Sequence, residues 1–369
     1  MNVAKGYSRD LYNQIKSGWD RVAKPLDSMG IFEEVLSRIG AIQGRLLPDL
    51  KNCRLIVCCA DNGIVEEGVS QSGQEITAIC ADSIANGRSS VAIMAKEADV
   101  DVLTLDVGIN TTKEIPGVRD VKIAQGTRNF LKEPAMTKEE CQKAIELGQD
   151  LVEECKWDGY SILAMGEMGI GNTTTSSAVT AALLGMKAEE VTGRGAGLND
   201  QGFLRKQEVI KEALRIYGYE SGGWSLFSNP GKNQKEWTKD QVLDVLCNLG
   251  GFDIACMVGI CLGGAMYDVP IVLDGFISQT AALVACKLDP VTAEYLIPSH
   301  SGKEQAMKCI EKELGLNPVI HANMALGEGT GAVLMVQLLR TANAVYASSQ
   351  SFDKAGISQY VRYEKESDK

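Results

Sequence analysis

Residues 160 to 179 read YSILAMGEMGIGNTTTSSAV. An apolar run too short for a helix gives way to alternating glycines, then to a longer segment opening in Asn, Thr and Ser. Strand, glycine turn and helix in that order form one step of a βαβ unit. The same pattern recurs at LIVCCA 55 to 60, DVLTLDVG 101 to 108 and PIVLDG 270 to 275, each running into glycine. Continuous rather than alternating apolar strands imply a parallel sheet covered on both faces, so the fold class is α/β. Helical patterns occupy 74 to 97, 137 to 156, 173 to 184, 201 to 216, 251 to 266, 277 to 287, 303 to 314 and 331 to 347.

Outward from this core, Leu11, Ile15, Trp19 and Val22 recur at helical spacing, as do Ile31, Val35 and Ile39 after Pro25 and Gly30. Two amphipathic helices therefore precede the sheet. The stretch 219 to 238 is rich in Gly, Ser and Asn without a period and reads as a surface insertion, and the end EKESDK reads as a frayed tail.

The chain has 369 residues, 45% hydrophobic and 23% charged, an ordinary globular composition. Its 37 basic against 48 acidic residues give a net charge of -11, which argues against nucleic acid and anionic membranes as partners. No signal peptide is legible at the start, and the apolar stretch 254 to 266 is too short to span a bilayer. The eleven cysteines form no CxxC pair and only two histidines, His300 and His321, accompany them, so they read as reduced, buried thiols of a cytoplasmic protein with no metal site. Both histidines are read as structural or surface residues.

Four strand runs end in an acid beside glycine: Asp61, Asp106, Glu167 and Asp274. Ligands of open parallel sheets bind beyond the carboxyl ends of the strands, so the recurrence gathers carboxylates at the expected binding edge. Taken singly, each also reads as a cap of the following turn or helix. In 165 to 179, Gly169 and Gly171 permit close backbone approach, and Asn172, Thr173 and Thr174 put N–H and hydroxyl donors at a positive helix end, an arrangement suited to phosphate. No Gly-Lys-Ser/Thr is present and Thr174 stands where GxGxxG has its third glycine, so neither a nucleoside triphosphate nor a dinucleotide is indicated. A second loop, GRGAGLND, carries Gly193, Gly195 and Gly197 and leads towards Lys206, a candidate point charge for the same phosphate. In LGEGTGAVLMV, Glu328 lies between two glycines at a helix mouth. It reads either as a partly desolvated general base or as a first-turn acid favoured by the helix dipole.

The ordered set GVSxxxQEIT, GEMGIGNTT, GRGxGL, GGFDIA, LDGF, IPSH and LGEGTGA, spanning about 60 to 344, resembles the nicotinate-nucleotide:dimethylbenzimidazole phosphoribosyltransferase family. The resemblance implies a Rossmann-like large domain over 46 to 300. A small helical domain would draw on both chain ends, from helices in 1 to 45 and from 301 to 369, which carries LGEGTGA. It implies transfer of phosphoribose from nicotinate mononucleotide to a lower-ligand base, in a dimer of identical chains or of paralogues, with no cofactor. Carried over by motif, Glu328 would be the general base, with Glu167 beside the ribose. The phosphate would lie on the Gly169 to Thr174 turn, Gly193, Gly195, Gly197 and Lys206. Ser299 would lie near the nicotinate, and Ser72, Gln74, Met168 and Leu326 would line the acceptor pocket.

The chain departs from the family pattern at Asn62, where Asp-His-Gly is common, and at Ser72-Gly73, where a proline precedes the Gln/Glu pair. Both departures lie near the acceptor segment, and they widen the expected acceptor from dimethylbenzimidazole to other azoles, purines or phenols. Two further readings of the same residues are a non-catalytic subunit paired with an active paralogue and a regulatory module that binds the nucleotide unchanged.

Overall fold

The computed structural model describes residues 5–220 and 237–362. Six parallel strands form one sheet: β1 Cys53–Ala60, β2 Asp101–Gly108, β3 Arg119–Asp120, β4 Ile162–Met168, β5 Ile271–Leu273 and β6 Leu296–Pro298. Their order is β3-β2-β1-β4-β5-β6, so the direction of winding reverses between β1 and β4. This is the Rossmann-like α/β arrangement, and that reversal opens a crevice at the carboxyl edge.

The period-two pleat distributes each strand between two cores. On β1, Ile56, Cys58 and Ala60 join one core while Leu55, Val57 and Cys59 join the other. The first core is covered by helices Lys138–Trp157, Asn172–Leu184, Lys239–Leu249, Phe252–Met266 and Phe276–Leu288. The second holds Arg9–Arg21, Ile31–Gln43, Glu75–Ala85, Ser90–Glu97 and Thr330–Ser348, so helices from both chain ends share it with the sheet. Trp19 and Tyr346 meet there with ring centroids 4.6 Å apart.

Several boundaries differ from the sequence pattern. The helix expected over 74 to 97 is two helices, because Gly87 takes a left-handed φ of 73° and the Ser89 hydroxyl caps a fresh start by accepting the Ala92 N–H. Strands β3 and β6 were not expected, since two- and three-residue strands carry no readable period, and helix Lys239–Leu249 was missed beside the polar segment that precedes it. Of the expected surface insertion, residues 221–236 lie outside the described residues, as does the EKESDK tail. No helix among the described residues is long and apolar enough to cross a membrane. All eleven cysteines are free and nine are buried.

Helices Lys138–Trp157 and Phe252–Met266 cross closely because glycines meet at the contact. A Cβ on Gly148 would strike the Cys256 carbonyl, and one on Gly259 the Ile145 carbonyl. Gly259→Ala is therefore expected to cost about 1–3 kcal/mol by overpacking, read as a lower urea midpoint with an unchanged slope.

Candidate active site

At the carboxyl edge beside the switch point lies a cavity of about 250 Å³. The four strand-end acids gather at this edge, but three of them are occupied by the protein itself. Asp61 accepts the Thr77 hydroxyl at 2.6 Å and the Asn110 N–H at 2.8 Å. Asp106 pairs with the Lys122 ammonium at 2.7 Å and accepts the Ile109 N–H. Asp274, fully buried, accepts backbone N–H groups from Gly329, Gly331 and Ala332 at 3.0, 2.7 and 3.3 Å. Glu167, which among the described residues accepts only from the Asn172 amide, lines the cavity together with Glu328, Glu304 and the amide-bound Asp274.

The Asp274 bonds hold an unusual loop. Gly327, Glu328 and Gly329 all have left-handed φ angles, 81°, 61° and 96°. Glycine tolerates this; glutamate does so only where the surroundings enforce it. Here Asp274 grips the amides beyond Glu328, and the Thr330 hydroxyl donates to the Gly327 carbonyl. Gly166 of β4 lets the loop pass so closely that any Cβ there would strike the Glu328 carbonyl. The Glu328 side chain reaches the cavity with Oε2 buried and without a hydrogen-bond partner among the described residues. Burial, and secondarily Asp274, raise its pKa.

The glycine turn lines the same cavity through Gly169, Gly171, Asn172 and Thr173, and the second loop through Gly195. Lys206 lies one layer behind, fully buried, with its ammonium donating to the Thr173 hydroxyl at 2.8 Å. Burial pulls its pKa down to about 8, against the opposing charge of Glu304. A buried, ionisable cation beneath a helix N-terminus gains most when an anion arrives. Gly193, Gly197 and Thr174 do not line the cavity; Gly197 offers its carbonyl to the Gln71 amide, and the Thr174 hydroxyl is buried away from it.

Met168 and Leu326 line the cavity, but Ser72 and Gln74 do not. Both ends of the Gln74 amide are in use, donating to the Asn62 carbonyl at 3.1 Å and accepting from the Asn110 amide at 3.0 Å. Ser299 also lies behind the lining, with its hydroxyl on the Asp274 carbonyl and 3.0 Å from His300 Nδ1. His300, read from sequence as structural or surface, is buried and lines the cavity, whereas His321 is exposed. Arg194, Cys80 and Glu304 are lining residues that the sequence reading missed. Asp253, fully buried beneath the glycine turn and bonded to Asn172, was not singled out although its GGFDIA motif stood out.

The fold and cavity define the class, an α/β protein with a cavity at the switch point of a parallel sheet. A family profile described as phosphoribosyltransferase matches residues 4–357. The chain belongs to that phosphoribosyltransferase family and is a pentosyl-transferring enzyme. It is similar to proteins named nicotinate-nucleotide–dimethylbenzimidazole phosphoribosyltransferase. That of Ruminiclostridium cellulolyticum is 38% identical over 360 residues, 98% of this chain and 97% of the relative. That of Clostridium acetobutylicum is 38% identical over 355 residues, 96% of each chain. The crystal structure of CobT from Thermus thermophilus superposes with a TM-score of 0.84 at 36% identity, over 95% of this chain and 100% of that one.

Burial, and then Asp253, push Glu167 up to about 8, with the Asn172 hydrogen bond opposing. A carboxyl whose folded pKa is raised contributes stability below its unfolded value near 4.5, and that contribution fades as pH rises towards 8. Thermal melting is therefore expected to fall from pH 5 to pH 8, and Glu167→Gln to flatten that fall. Lys206, displaced the other way, acts only above about 8 and leaves this window untouched. Parallel slopes for the two proteins would contradict the assignment.

Proposed function

We propose that the chain moves 5-phosphoribose from nicotinate mononucleotide to an aromatic lower-ligand base, yielding an α-riboside 5′-phosphate and nicotinate. The observation that carries this reading is Glu328, held in a left-handed conformation with a buried oxygen that has no partner among the described residues, in the same cavity as the Lys206-backed glycine turn. The names of the relatives supply the substrates.

In the proposed reaction the turn and Lys206 hold the 5′-phosphate, fixing the sugar from a point remote from the reacting carbon. The C1′–N bond breaks with its electrons passing to the nicotinate ring nitrogen, leaving oxocarbenium character at C1′. The acceptor's lone pair attacks C1′ from the opposite face, inverting β to α, and its proton passes to Glu328. Glu328, while ionised, also stabilises the positive charge that develops on the ribose. The presence of Glu167 and Glu328 in one cavity, with Lys206 directly behind its glycine turn, favours this reading over a non-catalytic paralogue.

The acceptor range in this proposal extends beyond dimethylbenzimidazole to other azoles, purines and phenols. A phenol, with an unperturbed pKa near 10, attacks through oxygen and depends on a base more than an azole does. What supports this range is that Glu328 shares its cavity with the apolar Met168 and Leu326, and that burial raises its pKa.

The test is nicotinate release by the purified chain with nicotinate mononucleotide and a panel of azoles, purines and phenols. Turnover is expected with members of both nitrogen and oxygen classes. Efficient use of dimethylbenzimidazole without phenol turnover would discard the phenol, and no release with any acceptor would discard the enzyme reading. Glu328→Gln should lower turnover by about 10²–10⁴-fold with nucleotide binding within a few-fold of wild type. Lys206→Met should do the reverse, raising KM for the nucleotide by roughly 10–100-fold with a smaller change in kcat, as loss of a phosphate anchor requires.

A further inference from the structure

Asp253 lies in the first turn of helix Phe252–Met266, fully buried and 81 residues from its partner Asn172. The Asn172 amide nitrogen donates one hydrogen to Glu167 Oε2 and the other to Asp253 Oδ2, the latter at 3.2 Å. Neither carboxyl forms an ion pair among the described residues. Two buried carboxyls that share one neutral amide cannot both hold a negative charge without large cost, so one proton stays on the pair. Asp253 Oδ1 accepts the Ile254 N–H at 2.9 Å, which favours its charged form. Glu167 Oε2 is taken by Asn172, so a proton on Glu167 sits on Oε1, and a Cβ added at Gly327 would lie only 2.9 Å from that oxygen.

We propose that Asp253 is a positioning residue: through the shared amide of Asn172 it keeps the proton on Glu167, so that Oε1–H is a hydrogen-bond donor facing the Glu328 loop. The cavity then presents one neutral acid and leaves Glu328 as the group free to ionise and accept a proton. This catalytic meaning rests on the phosphoribosyl-transfer reading above; the location of the proton does not.

The surroundings of both acids agree. Around Glu167 stand Asp253, Asp274 and Glu328, all raising its pKa, with the Asn172 hydrogen bond lowering it. For Asp253, burial raises, the hydrogen bonds from Asn172 and Ile254 lower and Asp61 raises slightly, leaving it at about 6 against about 8 for Glu167. From the sheet, the Cys59 thiol faces the same acids and its pKa is raised, so it supplies no charge at neutral pH.

Infrared titration of the substrate-free protein tests this directly. A protonated-carboxyl band, assigned by its loss in Glu167→Gln, is expected at pH 7, fading with a midpoint near 8. In Asp253→Asn and Asp253→Ser the midpoint should fall by roughly one pH unit or more. The alkaline limb of kcat should fall with it, while the pH dependence of KM for nicotinate mononucleotide stays where it was. Absence of the band at pH 7 in the wild type overturns the proposal. So does an unmoved midpoint in whichever Asp253 variant folds, or a fall in kcat with no shift of its pH profile. A shifted band in a chain that releases no nicotinate would uphold the proton's location and reject the transfer reading instead.

Discussion

The grip of one buried carboxylate on three backbone amides organises this site. Asp274, at the end of β5, accepts from Gly329, Gly331 and Ala332 and so fixes the amino end of helix Thr330–Ser348 to the sheet. Charge-assisted bonds to a helix N-terminus are among the stronger local interactions. They hold Glu328 in a left-handed conformation and aim its side chain into the cavity. Strain of order 1–3 kcal/mol at such a residue persists only where the surroundings over-determine it. Here Asp274, Thr330 and the missing side chain of Gly166 do so together.

The second constraint is electrostatic. Desolvation dominates Glu167, Asp253 and Lys206, and in each case it drives the group towards its neutral form. A cavity with one neutral acid and a lysine whose charge burial makes costly is poised for a ligand that brings its own charge. An incoming phosphate stabilises the protonated form of Lys206, and positive charge developing on a sugar stabilises ionised carboxyls. The same burial that weakens these groups in the empty protein strengthens their response when a charged partner enters.

The sequence reading of the sheet succeeded where a pattern was long enough to have a period. The apolar runs around 55 to 60, 101 to 108, 160 to 166 and 270 to 275 are β1, β2, β4 and β5. Helices with clear ends, such as Lys138–Trp157 with its Thr137–Glu140 capping box, appear within a residue of expectation. Short strands and the break at Gly87 escaped, because two or three residues carry no periodicity and a single glycine inside a helical pattern is ambiguous. At the site, the glycine turn and the Glu328 loop stood out because their glycine motifs are contiguous in sequence, although the conformation of Glu328 is enforced by distant Asp274. The roles of Gln74 and Asp253 did not, because each depends on a partner from elsewhere: Asn110 for the first, Asn172 and Glu167 for the second.

The amino-acid sequence by itself determined the α/β class, the parallel sheet, the glycine turns and the acids at the strand ends, since all are set by residues within one or two turns of chain. Only the tertiary structure decided which acids are consumed by the protein and which face the cavity, that Lys206 is buried, and that Asp253 lies beside Asn172. The physical reason is that a side chain's protonation and hydrogen bonding depend on desolvation and on partners delivered by distant segments. No local pattern encodes either.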